Sequence, residues 1–131
     1  MSVKAADKLK DKFGDTVLDT IEFRGETTVV VKKEDIVAVC AFLKEELGFN
    51  FLTDLCGVDY MGQDPRFMVV YHLYNIGTHT RLRIKAPVEE SDTRIDTVSG
   101  VWTTANWMER ETWDLMGITF NNHPDPRRIL M

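Results

Sequence analysis

RFMVVYHLYNIGTHTRLRIKA, residues 66–86, reads as two strands and the turn between them. The first, 66–74, is apolar at both alternating sets of positions, which predicts a central strand covered on both sides. Asn75, Ile76, Gly77 and Thr78 supply the turn. The second, 79–86, alternates. Thr80, Leu82, Ile84 and Ala86 point one way, and His79, Arg81, Arg83 and Lys85 point the other.

Working outward toward the N-terminus, residues 49–57 read as a strand carrying Phe49, Phe51, Leu52 and Leu55, followed by a loop over 57–65. Residues 34–47 form the clearest helix. Ile36, Cys40, Leu43 and Leu47 follow its period, acids occupy its first turn and Gly48 stops it. Cys40 lies on the apolar face and reads as core packing. Before it, 17–24 and 27–31 are two strands around Gly25 and Glu26. Residues 2–13 make a short amphipathic helix through Ala6, Leu9 and Phe13. Toward the C-terminus, 87–99 is acidic and irregular, and a last helix covers 105–116. The order α-β-β-α-β-β-β-α predicts an α+β fold: a two-layer α/β sandwich with helices packed on a mostly antiparallel or mixed sheet. With 131 residues and no repeat or linker, 1–131 is expected to be a single domain.

Composition narrows the function. Sixteen Lys and Arg stand against 21 Asp and Glu, which argues against a general nucleic-acid binder. The basic stripe of 79–85 then has two readings, a solvated sheet face or a contact with an acidic partner; no RNA-recognition motif surrounds it. The two cysteines, Cys40 and Cys56, form no C-x-x-C pair and cannot supply the four thiolates of an iron–sulfur cluster. The start, MSVKAADKLKDKFGD, lacks the apolar core of a signal peptide, and no apolar run approaches the roughly 20 residues of a membrane span. A soluble chain is expected, associating with membranes through partners.

The last quarter, NWMERETWDLMGITFNNHPDPRRILM (106–131), has an odd composition. On a helical wheel Ala105, Met108, Thr112, Leu115 and Met116 gather on one side, while Arg110, Glu111 and Asp114 gather on the other. Two residues are misplaced. Glu109 falls on the apolar side, where an unpaired charge is costly. It is either the N3 member of a capping box with Asn106 or a longer-range partner of an arginine or His123. Trp107 falls among the charges, as an interface anchor does, unless the tail folds back over it. Gly117 suits a left-handed cap, after which Ile118 and Phe120 can pack. Pro124 and Pro126 stiffen the tail that ends in Arg127 and Arg128. No nucleophile has a positioned base, no glycine-rich phosphate loop follows a strand, and His72, His79 and His123 lack metal-ligand spacing. No catalytic, cofactor-binding or metal residue is expected.

This stretch resembles the signature of the 30 kDa subunit family of respiratory complex I, the NADH:quinone oxidoreductase. Glu109, Arg110 and Glu111 open it, Asp114 is its acid, and Leu115 and Met116 are its apolar pair. His123 follows after six residues and Arg127 after three more, and Ile129 and Leu130 close it. FLTDLCGVDY, RFMVVYHLYN and THTRLRIKAP are similar to the family's strands upstream. The resemblance implies a non-catalytic peripheral-arm subunit on the cytoplasmic face of the inner membrane. It implies docking on the quinone-site subunit, which resembles a hydrogenase large subunit, with the signature residues as the interface; Trp107, Pro124 and Arg128 are additional interface candidates from their outward or terminal placement. NADH, FMN, iron–sulfur clusters and quinone would belong to the parent complex and none to this chain. Many family members continue past the signature with a further tail, whereas this chain stops at Met131. The same domain also occurs in energy-converting hydrogenases and formate hydrogenlyases, so the electron donor and acceptor stay open. A free-standing domain binding an acidic ligand or RNA is a further alternative.

Overall fold

The computed structural model describes residues 2–62 and 66–123, with side chains from residue 4 onward. Helix α1 (Ser2–Phe13) passes through a 3-10 turn into strand β1 (Val17–Phe23), which pairs antiparallel with β2 (Glu26–Val31). Phe23 lies opposite Glu26, so the hairpin loop is Arg24 and Gly25, one residue earlier than expected. Both have positive φ, 53° and 82°, the backbone a two-residue hairpin loop requires. Helix α2 (Ile36–Glu45) leads to β3 (Phe51–Asp59), β4 (Phe67–Asn75) and β5 (Thr80–Val88).

These five strands form one mixed sheet in the order β1-β2-β5-β4-β3. β5 inserts beside β2 in parallel, with Thr28 opposite Arg83, and the other neighbours run antiparallel. The α+β, two-layer reading and the order of the main elements hold. Strand ends differ from expectation: β3 continues to Asp59 and β5 through Pro87 to Val88. Proline is tolerated at 87 because the β2 ladder has already ended at Lys85. His79 belongs to the turn, with φ 55°, and its Nδ1 meets the Tyr74 hydroxyl at 3.0 Å. It is therefore not part of the basic stripe.

The core lies between the sheet and the helices. Val29, Val69, Tyr71, Leu73 and Ile84 face Leu9 of α1 and Ile36, Val39, Cys40 and Leu43 of α2, all fully or nearly fully buried. Each such aliphatic side chain stabilises the fold by about 1.5–3 kcal/mol relative to exposure. Cys40 packs in the core, as its place on the helical period implies, and burial pushes its thiol far above the ordinary range. The other face of the sheet carries Asp54, Cys56, Met68, Val70, His72, Tyr74, Arg81, Arg83 and Lys85, as the strand registers dictate. This overturns the expectation that 66–74 is covered on both sides. The described helices all pack against the Tyr71 face, and Met68, His72 and Tyr74 are only half-buried. Val70 is 4% exposed because Cys56 and Lys85 flank it from the adjacent strands, not because a second layer covers it.

Two further strands frame the last helix. β6 (Arg94–Asp96) and β7 (Thr119–Asn121) pair in parallel on either side of α3 (Ala105–Met116). Three-residue strands are too short to leave a periodic pattern, and β6 sits in the acidic stretch that reads as irregular.

Candidate partner interface

Helix α3 packs on β3 where the sheet has no side chain in the way. A Cβ at Gly57 would overlap the Met116 sulfur and lie 3.1 Å from Thr112 Cγ2. The glycine is needed for this close approach of helix to strand. The Thr112 hydroxyl is satisfied within the helix, donating to the Met108 carbonyl at 3.0 Å. Gly117 caps the helix in the left-handed conformation (φ 74°), its N–H donating to Trp113 O at 2.8 Å. Ile118 and Phe120 then return to the core as expected. At the other end, Trp102 is buried and its indole N–H donates to the Phe49 carbonyl at 3.1 Å, pinning the approach to α3. Lys44 Nζ donates to Val101 O at 2.7 Å beside it.

Glu109 is completely buried. Its Oε1 accepts from the Thr97 hydroxyl and its Oε2 from the Val98 N–H at 2.8 Å. His123 Nε2 lies 3.7 Å from Oε1 and also bonds to the Asn106 carbonyl at 3.0 Å. The capping-box reading is therefore incorrect. Thr104 precedes the helix without a side-chain cap, and Asn106 is already inside it. The long-range reading holds in its His123 form, but the main partners are in the loop before the helix. Burial pushes the Glu109 carboxyl above its ordinary value, against the opposing pull of Thr97, the Val98 N–H and His123.

The outward side of α3 is different in character. Trp107 is 54% exposed, and the Arg110 guanidinium sits 5.4 Å from its ring centroid. Glu111 is exposed, Asp114 half-exposed, and Leu115 is 81% exposed. The wheel places Leu115 on the apolar side; the buried arc is centred on Ala105, Glu109 and Thr112, and Leu115 falls beyond its edge near the helix end. The signature residues thus divide. Glu109, Met116 and His123 turn toward the fold, Glu111 and Leu115 turn away, and Arg110 and Asp114 are half-buried between them. Pro124, Arg127, Arg128, Ile129 and Leu130 lie outside the described residues.

The open sheet face holds a shallow depression of about 460 Å³ lined by Glu26, Asp54, His72, Tyr74, Arg81 and Arg83, among others. Of the basic stripe, Arg83 is drawn to Glu26 at 3.2 Å, and Arg81 lies 6.0 Å from the Tyr74 ring centroid. Beside it, ligand atoms of Asp54, Cys56 and His72 come within 4.8 Å of one another. Burial and then Arg83 hold the His72 imidazole below its ordinary value, and burial and then Asp54 push the Cys56 thiol up. The sequence carries no direct sign of this group, because its members come from two strands and meet only through the β3–β4 register.

Residues 29–131 match the profile of the family described as "Respiratory-chain NADH dehydrogenase, 30 Kd subunit". The chain is 65% identical over 128 residues to an NADH-quinone oxidoreductase subunit of Geotalea uraniireducens, covering 98% of this chain and 78% of that one. It is 61% identical over 129 residues to the subunit of the same name in Geobacter metallireducens, covering 98% and 80%. Among solved structures it is similar to one described as Nqo5 of the trypsin-resistant fragment (1-134), at 33% identity and a TM-score of 0.84, covering 95% of this chain and 99% of that one.

Proposed function

Because the chain belongs to the respiratory-chain NADH dehydrogenase 30 kDa subunit family, we propose that it is the non-catalytic peripheral-arm subunit of a proton-translocating NADH:quinone oxidoreductase. It docks on the quinone-site subunit, the one that resembles a hydrogenase large subunit, and stabilises it while electrons pass from NADH to quinone. The observation that carries this is the outward face of α3. Trp107 and Leu115 stand exposed there, on the helix that carries the family signature, although burying them would favour the isolated fold. Aromatic residues with an adjacent arginine dominate the binding energy of protein interfaces. The name the relatives share, NADH-quinone oxidoreductase, supports this parent complex over a hydrogenase or a free-standing binding domain.

NADH, FMN, iron–sulfur clusters and quinone are in this reading handled by neighbouring subunits. Among the described residues no helix is long and apolar enough to cross a membrane, so attachment to the cytoplasmic face runs through the complex. The signature tail, from Pro124 through Arg127, Arg128, Ile129 and Leu130, extends the same contact. Co-expression with the quinone-site subunit tests the proposal. We expect a stable complex on size exclusion, weakened at least tenfold by Trp107→Ala and by Arg127→Glu, with circular dichroism melts of the lone chain unchanged. Separate elution of the two native subunits overturns the docking. A collapsed melt for Trp107→Ala reassigns that residue to the fold.

A further inference from the structure

Asp54 and Cys56 alternate outward along β3, and His72 of β4 stands directly opposite Asp54 on the same open face. One carboxylate oxygen, one sulfur and one imidazole nitrogen therefore converge within 4.8 Å of one another. Tetrahedral zinc holds such atoms at about 2.0–2.3 Å from the metal and so about 3.3–3.8 Å from one another, a contraction of this triangle by up to about 1 Å that side-chain rotation would supply. The donor atoms are not bonded to one another. Asp54 Oδ1 accepts from the Leu55 N–H at 2.9 Å, which orients the carboxylate and leaves its second oxygen available. Asp54 and His72 also line the depression on this face, so the position that three ligands leave open abuts solvent and not the core.

We propose that Asp54, Cys56 and His72 form a three-ligand site for a borderline-soft divalent cation of the zinc class, with solvent in the fourth position. A mixed thiolate, imidazole and carboxylate set suits zinc over magnesium or calcium, which take oxygen ligands. Of the cations on this face, Arg83 stands opposite His72 and has its charge held by Glu26 at 3.2 Å. On binding, the Cys56 S–H bond breaks, the sulfur–metal bond forms and one proton leaves to solvent.

Cobalt(II) is the probe, titrated into the metal-free full chain and then displaced with zinc. One equivalent should give the intense visible bands of a tetrahedral ion and a near-ultraviolet thiolate charge-transfer band. Zinc should abolish both. Cys56→Ser should remove the charge-transfer band, whereas Cys40→Ser should keep it, since Cys40 is buried in the core. His72→Gln and Asp54→Asn should each weaken cobalt binding at least tenfold while leaving the circular dichroism spectrum unchanged; these two decide the matter if Cys56→Ser does not fold. A weak octahedral spectrum, or a charge-transfer band that survives Cys56→Ser, overturns the site. So does cobalt affinity indifferent to His72→Gln and Asp54→Asn.

Discussion

Burial pushes the Glu109 carboxyl above its ordinary value of 4.5 because its hydrogen bonds and the nearby His123 do not fully replace the water it has lost. The sign of the consequence is fixed by linkage. A carboxyl with a raised folded-state pKa holds its proton more tightly in the folded chain than in the unfolded one. Its contribution to stability is then fullest in acid and falls as pH rises from the ordinary glutamate value through the folded one. Glu109→Gln should retain hydrogen-bonding groups for Val98 and Thr97 and remove that titration. Urea unfolding across this range should show the variant gaining on the parent as pH rises, and parallel profiles would count against the argument. Glu109→Ala, by contrast, leaves the Val98 N–H without its acceptor and opens a cavity, at a cost of about 2–4 kcal/mol. Glu109 thus acts chiefly as a brace between α3 and the loop before it, which the helical wheel identifies as an oddity but cannot pair. Its partners Thr97 and Val98 lie in a stretch that looks like plain acidic loop.

At the scale of elements, the contact of α3 with β3 turns on Gly57. In most strand positions alanine in place of glycine gains about 0.5–1 kcal/mol from reduced chain entropy. Here the new methyl meets the Met116 sulfur, which can swing aside, and the stiff, β-branched Thr112 at 3.1 Å, which cannot. Overpacking should win, and Gly57→Ala should lower stability by about 1–3 kcal/mol. Combining it with Thr112→Ser, which removes Cγ2 and keeps the hydroxyl that donates to Met108 O, should recover part of that loss, read as a favourable coupling in a double-mutant cycle of urea midpoints. Additive effects would show that helix and strand are not in register as described. Asn75 makes a comparable joint at the other end of β4. Its Nδ2 donates to the Leu47 carbonyl at 2.8 Å, and its Oδ1 accepts from the Gly77 N–H at 3.0 Å. Asn75→Ala should therefore cost about 1–3 kcal/mol, because a part-buried carbonyl loses its donor; thermal melts would register it.

For the whole molecule, α1, α2, α3 and the sheet share one continuous core, so unfolding should be a single cooperative event. Calorimetry should give one transition with a calorimetric enthalpy equal to the van't Hoff value, near 90 kcal/mol at about 0.7 kcal/mol per residue; two resolved peaks would contradict a shared core. Local pattern made much of this legible. The alternation of β5, the helical period of α2 and the glycine stop of α3 are written in adjacent residues. What the sequence concealed is non-local. The parallel seating of β5 against β2, the one-sided cover of β4 and the meeting of Asp54, Cys56 and His72 all depend on which strands become neighbours. The β6–β7 pair sets how the molecule comes apart. Thr119 N donates to Thr93 O at 2.8 Å, Thr97 N to Asn121 O at 3.0 Å, and Asn121 Nδ2 to Asp96 Oδ1 at 3.2 Å. Both ends of the α3 segment are thereby buckled together, and amide exchange across it should report one shared opening and not progressive fraying. Tension applied at Trp107 would accordingly be resisted at two anchor points at once, which makes α3 a mechanical coupling and not a loose arm.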